Sequence, residues 1–313
     1  MSLSLSYKPL MHFGAWIDTH YTGGKPPADM TAQAKFDLLS GKNASICPFG
    51  HSLDSSDATV AELAAIRQAG YIPFLNMGFA APHPAMCSYI AAGNYDAAII
   101  KGFVNPVLAF NQPCFIRTLW EMNGNWYQWG AATNGNTPGK YVAAWKRIVN
   151  LFRAAGATNV SWVWCPNVDQ PGLGVSLDSL ALLYPGDDYV DWVAMDGYAK
   201  QDSTLSPTQV FGATYDHLST VIAPTKPMMI CEAGTIEQTT TGLTKAQWIA
   251  GLFSAITTRM PLLKALMYYD TDDGANAAYQ LNSTPASAAA WAKGITDGNF
   301  ASNSFAALQG GIA

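Results

Sequence analysis

Cys114-Phe-Ile-Arg-Thr-Leu-Trp-Glu-Met-Asn-Gly-Asn-Trp-Tyr-Gln-Trp-Gly130 begins as a strand and ends as a loop. Its first six residues form a short, largely apolar run of the length expected for a buried strand. One carboxylate, Glu121, stands just past that run. Asn123, Asn125, Trp126, Tyr127, Gln128 and Trp129 crowd in behind it. Aromatic faces bind the apolar faces of sugar rings, and amides bind hydroxyls. A carboxyl group among them is what cleavage of a glycosidic bond needs. A second such group, Glu232, caps the apolar run in Pro227-Met-Met-Ile-Cys-Glu-Ala-Gly-Thr235, 111 positions later. Two carboxylates so placed suggest glycoside hydrolysis.

Outward from these two runs, the chain alternates apolar segments with helical patterns. The other runs are His12–Ile17, Ala44–Phe49, Tyr71–Met77, Val160–Cys165, Tyr189–Met195 and Leu263–Tyr269. Between them the spacing predicts helices over about Thr31–Leu39, Asp57–Ala69, Ala85–Phe110, Gly139–Ala155, Ser179–Leu183, Pro207–Ile222 and Thr244–Thr258. A last helix is expected over Ala275–Ala292. Asp57 is a candidate N-cap, and Pro207 suits a first helical turn. Near-continuous apolar strands read as parallel strands buried on both faces. Eight strand–helix units are the number that closes a (β/α)8 TIM barrel, whose catalytic groups sit at the C-terminal ends of the strands. No Gly-rich dinucleotide turn follows the first strand to favour an open sheet. The expectation is one α/β domain over residues 1–313, with the barrel at about 11–295 and a tail at 296–313.

Composition narrows the partners. Charged residues make up 12% of the chain, about half the usual ~25%. The surface must therefore lean on Ser, Thr, Asn, Gln and Ala. A net charge of −5 without a basic cluster argues against nucleic acid. No apolar stretch reaches the ~18 residues of a membrane span. Met1–Lys8 lacks the pattern of a signal peptide. Five cysteines, an odd number with no Cys-x-x-Cys, read as structural thiols.

Eight Asp or Glu fall near the expected active face: Asp18, Asp54, Glu121, Asp169, Asp196, Glu232, Glu237 and Asp270. Only Glu121 and Glu232 combine a strand end with a small or amide-rich loop behind. Strands four and seven lie on opposite sides of an eight-stranded ring, so their ends can face each other. Trp16, Trp126, Trp129, Trp164 and Tyr198 are candidate sugar platforms. Trp162 and Trp164 share one face of a strand, either the barrel interior or the helix layer. His20, His51 and His83 follow strands one to three, but no ligand spacing supports a metal. Hydrogen bonding to sugar or protein is the expectation for all three. Arg117 points into the barrel, where it can pair with a carboxylate.

The segment Glu121–Gly130 resembles the acid/base motif of glycoside hydrolase family 26, which includes β-mannanases and related β-xylan and mixed-linkage β-glucan hydrolases. The resemblance continues through Trp162-Val-Trp-Cys-Pro-Asn167, Tyr184–Tyr198 and Lys226–Thr235, in order and at barrel spacing. It implies a retaining double displacement without a cofactor. Glu121 would be acid and then base, and Glu232 the nucleophile. Tyr198 would donate a hydrogen bond that holds Glu232 in position and ionised. Asp196 would face the site two residues earlier. His83, Trp120, Asn123, Asn167 and Tyr269 complete the expected sugar contacts. Two departures stand out. Trp120 occupies the place where the family usually has His, and strand eight ends in Tyr268, Tyr269 and Asp270 rather than a stacking Trp. The substrate expected is a polysaccharide met outside the cell: mannan, xylan, mixed-linkage glucan or a bacterial exopolysaccharide. A polysaccharide-binding protein on the same barrel, such as a phage tail component, would suit the low surface charge. It would not need both carboxylates and Tyr198.

Overall fold

The computed structural model describes residues 10–303, apart from 201–202, 238–241 and 275–277. Eight parallel strands form one sheet in the order β1-β8-β7-β6-β5-β4-β3-β2. They are β1 (His12–Ile17), β2 (Ile46–Leu53), β3 (Ile72–Phe79), β4 (Cys114–Thr118), β5 (Val160–Trp164), β6 (Trp192–Ala199), β7 (Met228–Thr235) and β8 (Leu263–Asp270). The ring closes where the Ser45 N–H donates to the Phe13 carbonyl, at 2.9 Å. Gly14 permits that approach: a Cβ there would meet the Ile46 carbonyl oxygen at 2.4 Å.

The helices are α1 (Met30–Ser40), α2 (Val60–Gln68), α3 (Met86–Ala91), α4 (Asp96–Ile99), α5 (Asn105–Phe110), α6 (Pro138–Ala154), α7 (Pro207–His217), α8 (Lys245–Thr258) and α9 (Pro285–Asp297). Seven of the eight strand–helix units expected from sequence carry an α-helix; the helix expected over Ser179–Leu183 between β5 and β6 is a 3₁₀ helix over Leu177–Leu183, and the fold is a (β/α)8 barrel. Local details differ. Thr59, not Asp57, caps α2 in a reciprocal capping box with Glu62; Asp57 pairs with Lys101 instead. The long helix expected over 85–110 is broken where Gly93 takes a left-handed turn (φ 85°); from Asp96 to Phe110 it runs on, α4 passing into α5 through a π-helical stretch at Ile100–Val104. The last helix starts at Pro285, where Thr284 caps it. The expected start at Ala275 lies outside the described residues, as do the Met1–Lys8 stretch and the end of the tail.

Two apolar layers organise the barrel. Ile46, Phe74, Phe115, Val163, Cys165, Trp192, Met229, Cys231 and Met267 fill its interior. The alternate residues pack outward against the helices. Trp162 belongs to the outer layer, edge-on to Phe152 and to Trp145 of α6. Burying one such side chain contributes roughly 1.5–3 kcal/mol. All five cysteines are buried free thiols. No described helix is long and apolar enough to cross a membrane.

Candidate active site

Strand parity alone would turn Glu232 away from the site. Met229 and Cys231 point into the barrel, so the next residue should face the helices. The pairing of β6 with β7 prevents this. Met195 pairs with Ile230, but Asp196 pairs with Glu232, which leaves Cys231 as an extra residue. That bulge resets the alternation and re-aims Glu232 inward. The chain after β4 is irregular too. Leu119 (φ 45°) and Glu121 (φ 50°) are both left-handed, a conformation that costs a non-glycine residue about 1 kcal/mol or more. The Glu121 N–H donates to the Cys165 carbonyl at 2.7 Å, which ties the kink to the end of β5. Unusual backbone therefore aims both carboxylates.

Glu121, Glu232 and Tyr198 border one cavity of about 260 Å³, together with Trp126, Asn167 and Tyr269. Trp126 Nε1–H donates to Glu121 Oε2 at 2.6 Å. Asn167 Nδ2–H donates to Glu121 Oε1. Glu232 receives the Arg117 Nη2–H on Oε1 and the Tyr198 hydroxyl on Oε2. Arg117 is fully buried and also donates to both Asp196 oxygens, at 2.7 and 3.0 Å. Its Nε–H donates to Asn76 Oδ1 at 2.7 Å.

The electrostatics separate the two glutamates. Burial, then the neighbouring Glu232 charge, push the Glu121 pKa up to about 7, against the pull of its hydrogen-bond donors Asn167 and Trp126 and of the Arg117 charge. Burial disfavours the Arg117 cation, but Asp196 and Glu232 outweigh it and hold the guanidinium charged. Burial and the Glu232 charge raise Tyr198 well above the usual phenol range, so it stays a donor. One carboxyl group is thus poised to carry a proton at neutral pH. The other holds hydrogen-bond donors on both oxygens.

Several residues expected to contact a sugar are not among those lining this cavity. Trp164 is fully buried in the helix-facing layer, edge-on to Tyr184 at 5.3 Å, and presents no face to a sugar. Trp129 is buried beneath Tyr127, stacked at 4.5 Å, with its N–H on the Trp120 carbonyl. Asn123 is buried, and its amide exchanges two 2.9 Å hydrogen bonds with the Asn167 backbone; it braces the loop rather than meeting a ligand. Asp196 is fully buried against Arg117. Trp16 lies on Arg117 at 5.3 Å and donates to the Cys231 carbonyl. His83 lies against Tyr89, ring centroids 3.8 Å apart and tilted by 31°, and its backbone N–H donates to Gln128. Trp120 packs against Arg117 at 5.2 Å and donates to the Tyr127 hydroxyl at 3.1 Å.

Sequence reasoning left out Tyr127, Gln170, Lys200, Asp273 and Tyr279, which also line the cavity. Tyr127 was visible inside the aromatic loop. The others follow strand ends with no flanking pattern to mark them. Among the described residues, Cys165, Asp196 and Cys231 are spaced to hold a metal ion. Arg117 already supplies a cation there, with Nη1 at 2.7 Å from Asp196 and 3.7 Å from Cys165 Sγ. His51 is bound to Ser56 and Glu62, and His20 to Asp18.

Comparison with known proteins gives the arrangement a context. The model of a family described as glycosyl hydrolase family 26 matches residues 103–284. Endoglucanase H of Acetivibrio thermocellus is 34% identical over 218 residues, which is 67% of this chain and 23% of that protein. Mannan endo-1,4-beta-mannosidase A and B of Caldalkalibacillus mannanilyticus is 32% identical over 126 residues, 38% of this chain and 21% of its own length. The chain thus spans less than a quarter of these curated relatives. Among solved structures, a modular endo-beta-1,4-mannanase from Cellulomonas fimi superposes with a TM-score of 0.74 at 16% identity, covering 97% of this chain and 75% of that one. That likeness is one of fold.

Proposed function

The chain belongs to glycosyl hydrolase family 26, and from that membership and its paired carboxylates we propose that it is a retaining, endo-acting hydrolase of a β-linked polysaccharide. The observation that carries the reading is that Glu121 and Glu232 share one cavity, close enough for the charge on Glu232 to raise the pKa of Glu121. The polysaccharide substrate puts its work outside the cell, and residues 1–313 act as a single catalytic domain.

In the first step a Glu232 oxygen attacks the anomeric carbon. The bond to the leaving oxygen breaks, and that oxygen takes the Glu121 proton. Tyr198 and Arg117 hold the attacking carboxylate in line. In the second step Glu121 removes a proton from water, the water oxygen attacks the anomeric carbon, and Glu232 departs as carboxylate. Esterification of Glu232 removes the charge that raises the Glu121 pKa. Glu121 is therefore a better-retained acid before the first step and a readier base after it.

The test is release of new reducing ends from a panel of mannan, xylan, mixed-linkage glucan and bacterial exopolysaccharides, wild type beside Glu232→Gln. Activity lost in the variant supports the proposal. Retention on a polysaccharide without any release favours a binding protein.

Two pH effects follow from Glu121. The acid works only while protonated, so kcat/KM falls as pH rises through about 7. A profile flat to pH 9 removes Glu121 from proton transfer. The second effect is on stability. The folded pKa lies above the ordinary 4.5, so ionising Glu121 opposes folding. That cost is absent below pH 4.5 and complete above about 7, on the order of 3 kcal/mol. Glu121→Gln should therefore raise the melting temperature at pH 8 and change it little at pH 4. Equal shifts at both pH values would contradict this.

A further inference from the structure

Lys245 is the first residue of α8 and is fully buried. Both facts count against a cation. Burial strips its water, and a helix N-terminus carries a positive partial charge. Burial pulls its pKa down to about 8, although the charges of Glu237 and Asp270 draw it up. A cation persists in such a place where its donors are needed. An ammonium has three N–H groups, and all of them are used here. They donate to the Ala278 carbonyl at 3.0 Å, the Gln280 carbonyl at 2.9 Å and the Ser283 hydroxyl at 2.8 Å.

The two carbonyls flank Tyr279. The Tyr279 N–H donates to the Thr271 carbonyl at 2.9 Å, and the Leu281 N–H to Asp270 Oδ1 at 2.7 Å. The Ser283 hydroxyl, which accepts from Lys245, donates in turn to Glu237 Oε1 at 3.0 Å. The same oxygen accepts from Thr284 and Ser287 at the start of α9. The backbone around Tyr279 is therefore clamped from α8, from the end of β8 and from α9.

The ring held in this way backs the partner of the nucleophile. Tyr279 packs against Tyr198 with centroids 5.2 Å apart, and against Tyr269 at 5.7 Å. Tyr198 and Tyr269 meet edge-on at 5.6 Å. Gly234 makes room for the contact: a Cβ there would meet Tyr279 Cδ1 at 2.8 Å and Tyr198 Cδ1 at 2.9 Å. The Tyr198 hydroxyl donates to Glu232. A phenol that must stay in line with one carboxylate oxygen needs a wall behind its ring, and Tyr279 and Tyr269 form that wall.

We propose that Lys245 is a positioning residue for hydrolysis: by clamping the backbone on both sides of Tyr279, it keeps that ring against Tyr198 and keeps Tyr198 in line with Glu232. The inference rests on the hydrolase reading above. It extends the machinery to a side chain that is not among the residues lining the catalytic cavity. An apolar side chain of similar length would fill the same space but leave two buried carbonyls without their donor. The turn would then relax, and the wall behind Tyr198 with it.

The test is a double-mutant cycle on kcat between Lys245→Met and Tyr198→Phe, with a β-linked glycan of the panel that the wild type cleaves. Tyr198→Phe removes the donor to Glu232 and should lower kcat roughly tenfold or more. Lys245→Met should lower kcat roughly tenfold beside an intact Tyr198, and by no more than about twofold once that residue is Phe, because the bond it protects is already gone. The melting temperature should fall equally in both backgrounds, since the clamp is lost in both; a purely structural lysine would show the same parallel in kcat. If Lys245→Met does not fold, Lys245→Gln, which keeps two N–H donors, runs the same cycle, with a loss of roughly threefold that again disappears in Tyr198→Phe. Equal fold-losses in the two backgrounds, or no loss beside an intact Tyr198, overturn the positioning role and leave the hydrolase reading standing. No cleavage of any panel glycan by the wild type overturns the hydrolase reading and the positioning role with it.

Discussion

Glu232→Ala releases no reducing ends from any glycan that the wild type cleaves, a loss on the order of 10⁴-fold or more. The expected size follows from its place in the site. A covalent route splits one difficult displacement into two, and both need this carboxylate. Arg117 and Tyr198 hold its two oxygens, and no other described carboxylate receives both of these donors. Glu121→Ala should behave differently. Its role is to protonate a poor leaving group, worth 10²–10⁴-fold. With an activated aryl glycoside the first step no longer needs that proton. The variant should then form the glycosyl-enzyme quickly and stall, and azide should release it as a glycosyl azide. Azide rescue in Glu232→Ala giving retained product, or none in Glu121→Ala, would exchange or cancel the two roles. Such variants should keep wild-type circular dichroism, since Asp196 still pairs with the buried Arg117 when Glu232 is removed.

Arg117→Met should be the most destabilising single change in the barrel interior. The guanidinium is fully buried and bridges Asp196 and Glu232. Removing one partner of a buried ionic group leaves uncompensated charge, typically at a cost of ~3–5 kcal/mol. Turnover should fall as well, because Glu232 loses a donor on the oxygen opposite Tyr198. The double variant Arg117→Met/Asp196→Leu separates the two effects. It removes the orphaned charge beneath the site and should recover much of the denaturant midpoint. It should not recover turnover, because Glu232 still lacks its donor. Recovery of both would make Arg117 a purely structural residue; recovery of neither would mean that the pair's surroundings demand an ionic bridge.

These expectations depend on parts of the site that were unequally legible in the sequence. The barrel was readable because eight apolar runs recur between helical patterns, and the strand-end carboxylates because charge is rare at the end of such a run. Arg117 was readable as an inward cation for the same reason. The direction of Trp164 was not. Val160-Ser-Trp-Val-Trp164 is apolar on both faces, as a strand buried on both sides must be, so its pattern does not mark which face meets the helices. Trp162 and Trp164 turned outward, while Val163 and Cys165 filled the interior. The bulge at Cys231 was equally hidden. No residue type announces it, yet without it Glu232 would point away from Glu121. Asn123 shows a different limit. Its amide suits a sugar hydroxyl and a backbone bracket equally well, and only the fold brings the Asn167 backbone to it.

The measurement that tests the central claim most directly is proton NMR of the first sugar released from a β-linked substrate, recorded before mutarotation. A double displacement through Glu232 gives the β-anomer first, with α growing in later. The α-anomer appearing first would mean a single displacement by water and would contradict Glu232 as nucleophile.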